Sequence, residues 1–461
     1  MSTLMIYGAA GYTGGMVAEH AASAGLNLVL AGREKDRVKL EALADRMGAV
    51  VKLFPLDEPG AIVANLAGIS VLLNAAGPFA NTAEPLMSAA IRAGVHYLDF
   101  SAELDTYHGA LALDAQARAA GVMLLPGSGG SVAMLGSLAG HAVARVKNAR
   151  KIAIALDFAG TMSRGSAISA SQNIAPETFR LVGGELVTRD ANELRNFDFG
   201  TGPQSSFPVT LPDLLTIHQA TGVPDIETFV HVATGTFPTS DIQDLPDGPS
   251  FEEREASRYH ASVEVTGGDG TVARSVLDTV NGYTFTSMVA AEAARRVLAG
   301  EMRPGFQTPA GLFGNGFAET IAGTCIVDRE KKPMLIDHIE IPVTDVEATL
   351  DFYKTALKPL GISCVISVPP ERSAKSHPRH GLGQDGYPSL WLRGGRTSKD
   401  PLHIAFGASE RSTVDAFYAA AMAAGGRDNG PPGVRTRYHP TYYAAYVMDP
   451  DDNNVEVVCQ H

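Results

Sequence analysis

Three glycines stand three residues apart in Gly8-Ala9-Ala10-Gly11-Tyr12-Thr13-Gly14. A short apolar run, Leu4 to Tyr7, leads into them, and a helical pattern from Met16 to Ala24 leads out. Glycines at that spacing let the chain turn tightly, bring backbone against a pyrophosphate, and pack a helix closely on a strand. The amides at the helix start then face the phosphates. Gly8, Gly11, Tyr12, Thr13 and Gly14 are therefore candidate dinucleotide contacts. The next apolar run, Leu26 to Leu30, ends in Ala31-Gly32-Arg33. An acid at that point would hold a ribose 2′-hydroxyl. Arg33, with Lys35 and Arg37 close behind, suits the 2′-phosphate of NADP(H). The other reading stacks Arg33 on the adenine and turns Glu34 to the ribose. Asp57, after a third run from Val50 to Pro55, is placed to read an adenine edge. Ala76, Gly77 and Pro78 follow a fourth run, Ile69 to Asn74, where small residues border the ligand crevice. Hydride transfer also needs a proton source. Tyr97, Asp99 and Glu103 follow a fifth strand on the crevice side, and Glu103 is the candidate acid.

A second set of chemistry-bearing residues comes from an internal repeat. Sliding the chain by 65 residues superposes His338-Ile339 on His403-Ile404, Phe352-Tyr353 on Phe417-Tyr418, and Gly361 on Gly426. Each copy reads as strand, helix, then further strands, giving βαβββ twice around a shared cavity. The same shift relates Trp391 to Glu456. The four equivalent positions are thus His338, Trp391, His403 and Glu456. Two imidazoles and one carboxylate leave coordination positions open, which suits non-haem Fe, with Mn or Zn as alternatives. Glu340 shares a strand face with His338 and could serve as outer partner or base. His439, Tyr442 and Tyr443 precede the final strand. They could cap the cavity, with Tyr443 as acid or base, or simply pack as an aromatic loop.

The elements that position these residues give an α/β chain of several domains. Six strands with helices between them predict a doubly wound parallel sheet over 1–126, completed by 286–328. Residues 127–285 predict an α+β domain for substrate and dimer contacts, with strands at 152–158, 229–234, 261–266 and 273–277. The charged, Pro-ended run Asp328 to Pro333 marks a seam, and 333–461 form the duplicated domain. With 461 residues, 45% hydrophobic and 19% charged, the composition is globular. A net charge of −13 argues against a nucleic-acid binder. No apolar run reaches membrane-span length, and no signal segment is recognisable, so a cytoplasmic protein is expected. Three cysteines are too few and scattered for a disulfide framework.

Gly8 to Gly14, Ala31-Gly32-Arg33, Asn74 to Phe79, Tyr97-Leu98-Asp99 and Gly305-Phe306-Gln307-Thr308-Pro309 resemble the saccharopine-dehydrogenase-like reductases, a group that includes trans-acting enoyl reductases. The resemblance covers about residues 1–325. It implies an NADP-dependent reductase, a likeness that extends to an activated C=C or C=N bond in a small lipid, polyketide or amino-acid-derived metabolite. A homodimer is expected. Asp337-His338, His403 to Phe406 and Met448 to Glu456 resemble the vicinal oxygen chelate superfamily of glyoxalase I, bleomycin-resistance proteins and extradiol dioxygenases. That resemblance implies divalent-metal chemistry carried by His338, His403 and Glu456. Trp391, standing where a four-ligand lyase has an acid, leaves an oxygenase, isomerase or binding role. The alternative function puts the chemistry in this C-terminal domain and gives the N-terminal part a supporting or sensing role.

Overall fold

The structure is a computed structural model. It describes residues 2–158, 160, 162–167, 178–232, 246–329, 338–373, 377–384, 387–395, 400–408, 410–438 and 441–460. The chain divides into two compact units, Met1–Glu330 and Lys331–His461. Part of the expected seam, residues 330–333, and His439 lie outside the described residues.

The first unit opens with β1 (Thr3–Tyr7), β2 (Asn27–Gly32), β3 (Val50–Leu53), β4 (Val71–Asn74), β5 (His96–Asp99) and β6 (Met123–Leu125). All pair in parallel, and a short late strand, Gly305–Phe306, joins β6, giving seven strands. Both faces are covered, so β1 and β4 read as unbroken buried apolar runs rather than alternating ones. Helices fill the crossovers: α1 (Tyr12–Ser23), α2 (Arg37–Met47), α3 (Pro59–Asn65) and α4 (Phe79–Ala93). β1 lies between β2 and β4, so the strand order reverses there and opens a crevice at the carboxyl ends.

The chain then builds a second, nine-stranded sheet. Its strands are β7 (Ala149–Phe158), β8 (Thr178–Val182), β9 (Glu185–Arg189), β10 (Arg195–Asp198), β11 (Pro203–Pro208), β12 (Asp225–Val232), β13 (Arg258–Gly267), β14 (Val272–Val280), and Cys325–Asp328 at one edge. With Gly305–Phe306 as β15, that edge strand is β16. The strands expected from periodicity are present, each extending beyond the apolar stretch that marked it, and residues 233–234 of the expected 229–234 lie outside the described residues. β8 to β11 were not expected. Their exposed, mixed sequences carry little period-two signal. A long helix, Gly282–Leu298, packs back on α1 and begins more than one turn before Ser287, where its apolar pattern starts.

The second unit is the predicted duplication. The first module is β17 (Ile339–Val343), a helix Val346–Ala356, β18 (Ser363–Val368), β19 (Arg379–Gln384) and β20 (Tyr387–Gly394). The second is β21 (His403–Gly407), a helix Arg411–Ala423, β22 (Arg427–Val434), β23 (Tyr443–Met448) and β24 (Asn454–Cys459). Within each, first and last strands pair in parallel. Glu340 faces Trp391 in one and Ala405 faces Glu456 in the other, so both partners shift by the same 65 residues. Phe352, Tyr353, Phe417 and Val447 share one buried core. Among the described residues no helix is long and apolar enough to cross a membrane.

Candidate functional sites

The glycine turn leaves no room for side chains. Gly8 adopts φ +90°, and a Cβ there would meet the Ala76 backbone nitrogen at 2.7 Å. A Cβ on Gly14 would meet the Gly8 carbonyl oxygen at 2.4 Å. The turn and the β4–α4 loop therefore touch backbone to backbone. Gly11 is the N-cap of α1 and supplies no side-chain cap, so the first-turn amides near Thr13 can address an anion. Tyr12 is placed differently from expectation. Its hydroxyl donates to the Pro249 carbonyl and accepts from Arg254 Nη1 at 2.6 Å. A Cβ on Gly248 would strike the Tyr12 ring at 2.5 Å. Segment 246–255 thus clamps the start of α1, an arrangement with no signal in the sequence.

Arg33 follows β2 at the crevice mouth, its side chain 61% exposed and only loosely held by Asp36 at 3.5 Å. Glu34 accepts two bonds from Arg37, at 2.7 and 2.9 Å. The acid that could have faced a ribose is thereby committed elsewhere. Asp57 is exposed after β3, and its charge, like those of Arg33 and Asp36, acts on the Tyr7 hydroxyl.

At the carboxyl ends of β4 and β5 lies a buried polar network. Asn74 donates to the Tyr97 hydroxyl at 3.1 Å, and Tyr97 donates to Asp99 at 2.8 Å. Asp99 also accepts from the amides of Ser101 and Gly127. Burial outweighs these bonds and pushes its carboxyl up to about 6. Asn74 accepts from the Ala76 amide, fixing the loop Ala76-Gly77-Pro78, whose Gly77–Pro78 bond is cis. Glu103, the expected acid, is buried and accepts from the amides of Phe79 and Ala80 at 3.1 and 2.6 Å. It closes the amino end of α4 instead of presenting a proton.

In the second unit, His403 Nε2 lies 3.1 Å from Glu456, and Tyr442 donates to the other Glu456 oxygen at 2.6 Å. The Asn454 amide sits 2.7 Å from His403 Nδ1 and accepts, through its oxygen, from Asn429. That polarity makes Nδ1 the acceptor and Nε2 the proton carrier toward Glu456. Glu456 is 3% exposed. Among the described residues no three His, Cys, Asp or Glu are gathered to hold a metal. Of the expected triad, His403 and Glu456 are brought together, and His338 is exposed just before β17. The first module's equivalent face is occupied by Glu340, bound to Arg393 at 3.0 Å and Arg379 at 2.5 Å, with Arg379 stacked on Trp391. Donors so engaged do not fit a divalent metal. Tyr443 is also displaced from its expected role. It points to the opposite strand face and donates to Asp415 at 2.7 Å. Its neighbour Tyr442 is the tyrosine on the carboxylate. One residue along a strand reverses the face.

Residues 4–125 match the family described as the saccharopine dehydrogenase NADP binding domain, and residues 335–457 match the Glyoxalase/Bleomycin resistance protein/Dioxygenase superfamily. The chain carries one domain of each family. The saccharopine-dehydrogenase-type domain holds the glycine turn, Arg33 and the Asn74–Tyr97–Asp99 network. The glyoxalase-superfamily domain holds the His403–Glu456 pair. Curated relatives include trans-acting enoyl reductases. That of Mycobacterium ulcerans (strain Agy99) is 30% identical over 119 residues, which cover 23% of this chain and 28% of that protein. That of Mycobacterium tuberculosis (strain ATCC 25618 / H37Rv) is 33% identical over the same length and shares. The chain thus spans little more than a quarter of these relatives. Among solved structures, apo saccharopine dehydrogenase (L-Glu forming) from Saccharomyces cerevisiae aligns at 12% identity over 71% of this chain and 99% of that one, with TM-score 0.49. A glyoxalase-like protein from Bacillus halodurans aligns at 21% identity over 28% of this chain and 96% of that one, with TM-score 0.20.

Proposed function

We propose that the chain is an NADP(H)-dependent reductase of an activated C=C or C=N bond in a small lipid, polyketide or amino-acid-derived metabolite. The observation that carries this reading is the glycine cradle with Arg33 at its mouth and Glu34 already bound by Arg37. When bound, the nicotinamide cofactor supplies a hydride. The chain's residues do the rest. First-turn amides of α1, with Gly8, Gly11, Thr13 and Gly14, hold the pyrophosphate. Arg33 holds the 2′-phosphate, and Asp57 borders the adenine. Ala76, Gly77 and Pro78, fixed by Asn74 and Glu103, border the nicotinamide end, so Glu103 is a positioning residue. Tyr12 acts through the 246–255 clamp. The enoyl reductases among the relatives support a C=C acceptor.

For the glyoxalase-superfamily domain we favour a ligand-binding role on the same pathway, without Fe, Mn or Zn. His403, Tyr442 and Glu456 form one hydrogen-bonded set. The protein is read as a homodimer in the cytoplasm. The test is NADPH oxidation by the purified chain against a panel of enones, enoyl thioesters and cyclic imines. Turnover of one class names the acceptor; a panel without any turnover removes the reductase reading.

A further inference from the structure

Strand alternation gives the nine-stranded sheet two different faces. Ile152, Ile154 and Leu156 of β7 join the main core with the helix Gly130–Val143. The intervening Ala153 and Ala155 face the other way, into a small separate cluster with Phe197, Phe199 and Phe229. That second face carries a dense charge network. Glu227 meets Lys151 at 2.9 Å, Arg180 at 3.3 Å and Arg195 at 3.6 Å. Glu264 meets Arg195 at 2.7 Å and Arg274 at 2.5 Å. Glu193 lies 3.6 Å from Arg189 and 3.9 Å from Arg180. Among the described residues, Lys151, Arg180, Arg189, Arg195 and Arg274 therefore confront only Glu193, Glu227 and Glu264, an excess of two positive charges.

Arg189 is the anomaly. Its side chain is 1% exposed, and its guanidinium stacks 4.5 Å over the Phe229 ring. Among the described residues, none of its three nitrogens has a hydrogen-bond partner, and Arg180 Nε also lacks one. A guanidinium has five N–H donors, and burying them without acceptors is costly enough that native proteins supply a water or an ion. The Glu227 oxygens are already drawn to Lys151 and Arg180. A cavity of about 230 Å³ opens on the same face of the sheet, lined by Lys151, Ala153, Arg195, Glu264 and Thr266. Ala153 pairs with Glu227 and Ala155 with Phe229 across β7 and β12, so the cavity floor and the Arg189 stack sit on successive residue pairs of one face.

We propose that this face of the second sheet binds a small oxyanion bearing two negative charges, a phosphate or a dicarboxylate, through Lys151, Arg189 and Arg195. The site is separate from the cofactor cradle and does not depend on the reductase reading. Two negative charges balance the excess, and paired oxygens match the fork of a guanidinium.

The test is thermal unfolding of the full chain in chloride, then in inorganic phosphate or malonate at matched ionic strength. Three proteins are compared over a range of protein concentrations: wild type, Arg33→Ser and Arg189→Met. The Arg33→Ser arm separates this site from the cofactor cradle. The proposal expects a rise of a few degrees with one or both anions, kept in Arg33→Ser and lost in Arg189→Met. It also expects Arg189→Met to be more stable than wild type in chloride, since a charge without acceptors has gone. Response to phosphate alone or malonate alone assigns the source. An Arg189→Met chain that is less stable, that fails to fold or that keeps the anion response overturns the proposal. So does a melting temperature that follows protein concentration and ignores the anions, which would place a second copy on this face.

Discussion

Asp213 begins the helix Asp213–Thr221 fully buried, and among the described residues neither carboxyl oxygen has a hydrogen-bond partner. Thr216, one turn on, has an equally orphaned hydroxyl. Burial lifts the Asp213 pKa to about 7. An unfolded aspartate titrates near ~4, so the folded chain keeps a proton that the unfolded chain releases. The group's contribution is therefore fully present below pH ~4 and is lost as pH rises through about 7. Asp99, raised by burial, tilts stability the same way. Asp213→Asn is expected to flatten this slope and to stabilise the protein at pH 8, by roughly 2–4 kcal/mol in urea denaturation. A variant no more stable than wild type at pH 8 would mean that the carboxyl has a partner. Glu103→Gln should cost about 1–2 kcal/mol in the same assay, because one of two amides at the start of α4 loses a charged acceptor. An unchanged midpoint would refute that capping role.

At the scale of elements, close backbone approach decides the outcome. Gly14→Ala must push a methyl into the Gly8 carbonyl, and Gly248→Ala must push one into Tyr12. The first is expected to destroy nucleotide binding. The second should release the clamp and make segment 246–255 more open to proteolysis while the fold persists. Protection left intact in Gly248→Ala would show that the clamp tolerates the methyl. The crossovers of the first sheet could be read directly from the sequence, because buried parallel strands are unbroken apolar runs and the glycine turn punctuates them. The duplicated modules could be read because the repeat fixes register, as the Glu340–Trp391 and Ala405–Glu456 pairs show. Other features could not be read. β8 to β11 are short and mixed in composition, with only single buried residues such as Leu181 and Phe197 and no sustained period to detect. The choice between Tyr442 and Tyr443 turns on strand parity, which requires knowing where β23 begins. The bond from Glu103 to α4 joins groups 23 and 24 residues apart and leaves no local trace. Tyr97 and Asp99 did carry a signal, since alternate residues of one strand share a face.

For the whole molecule, two units of separate ancestry share one chain. Residues 4–125 bring a nucleotide cradle, and residues 335–457 bring a duplicated sheet pair. The charge divides with them: residues 331–461 hold 14 Lys and Arg against 15 Asp and Glu, so nearly all of the net −13 lies in the first unit. An acidic surface of that kind repels nucleotides at long range, which makes the local cation at Arg33 matter more. His403 and Glu456 were visible in the sequence as donors at symmetric positions, and Tyr442 only as part of an aromatic loop; how their protons are shared required the fold. The central claim is that Arg33 selects a 2′-phosphorylated nicotinamide nucleotide. The most direct measurement is a fluorescence titration of NADPH and NADH against wild type and Arg33→Ser. The account predicts tighter binding of NADPH than NADH by wild type, and a loss of about tenfold or more for NADPH alone in the variant, equivalent to ~1.4 kcal/mol. Equal affinities for both nucleotides in wild type, or an NADPH affinity untouched by Arg33→Ser, would contradict it.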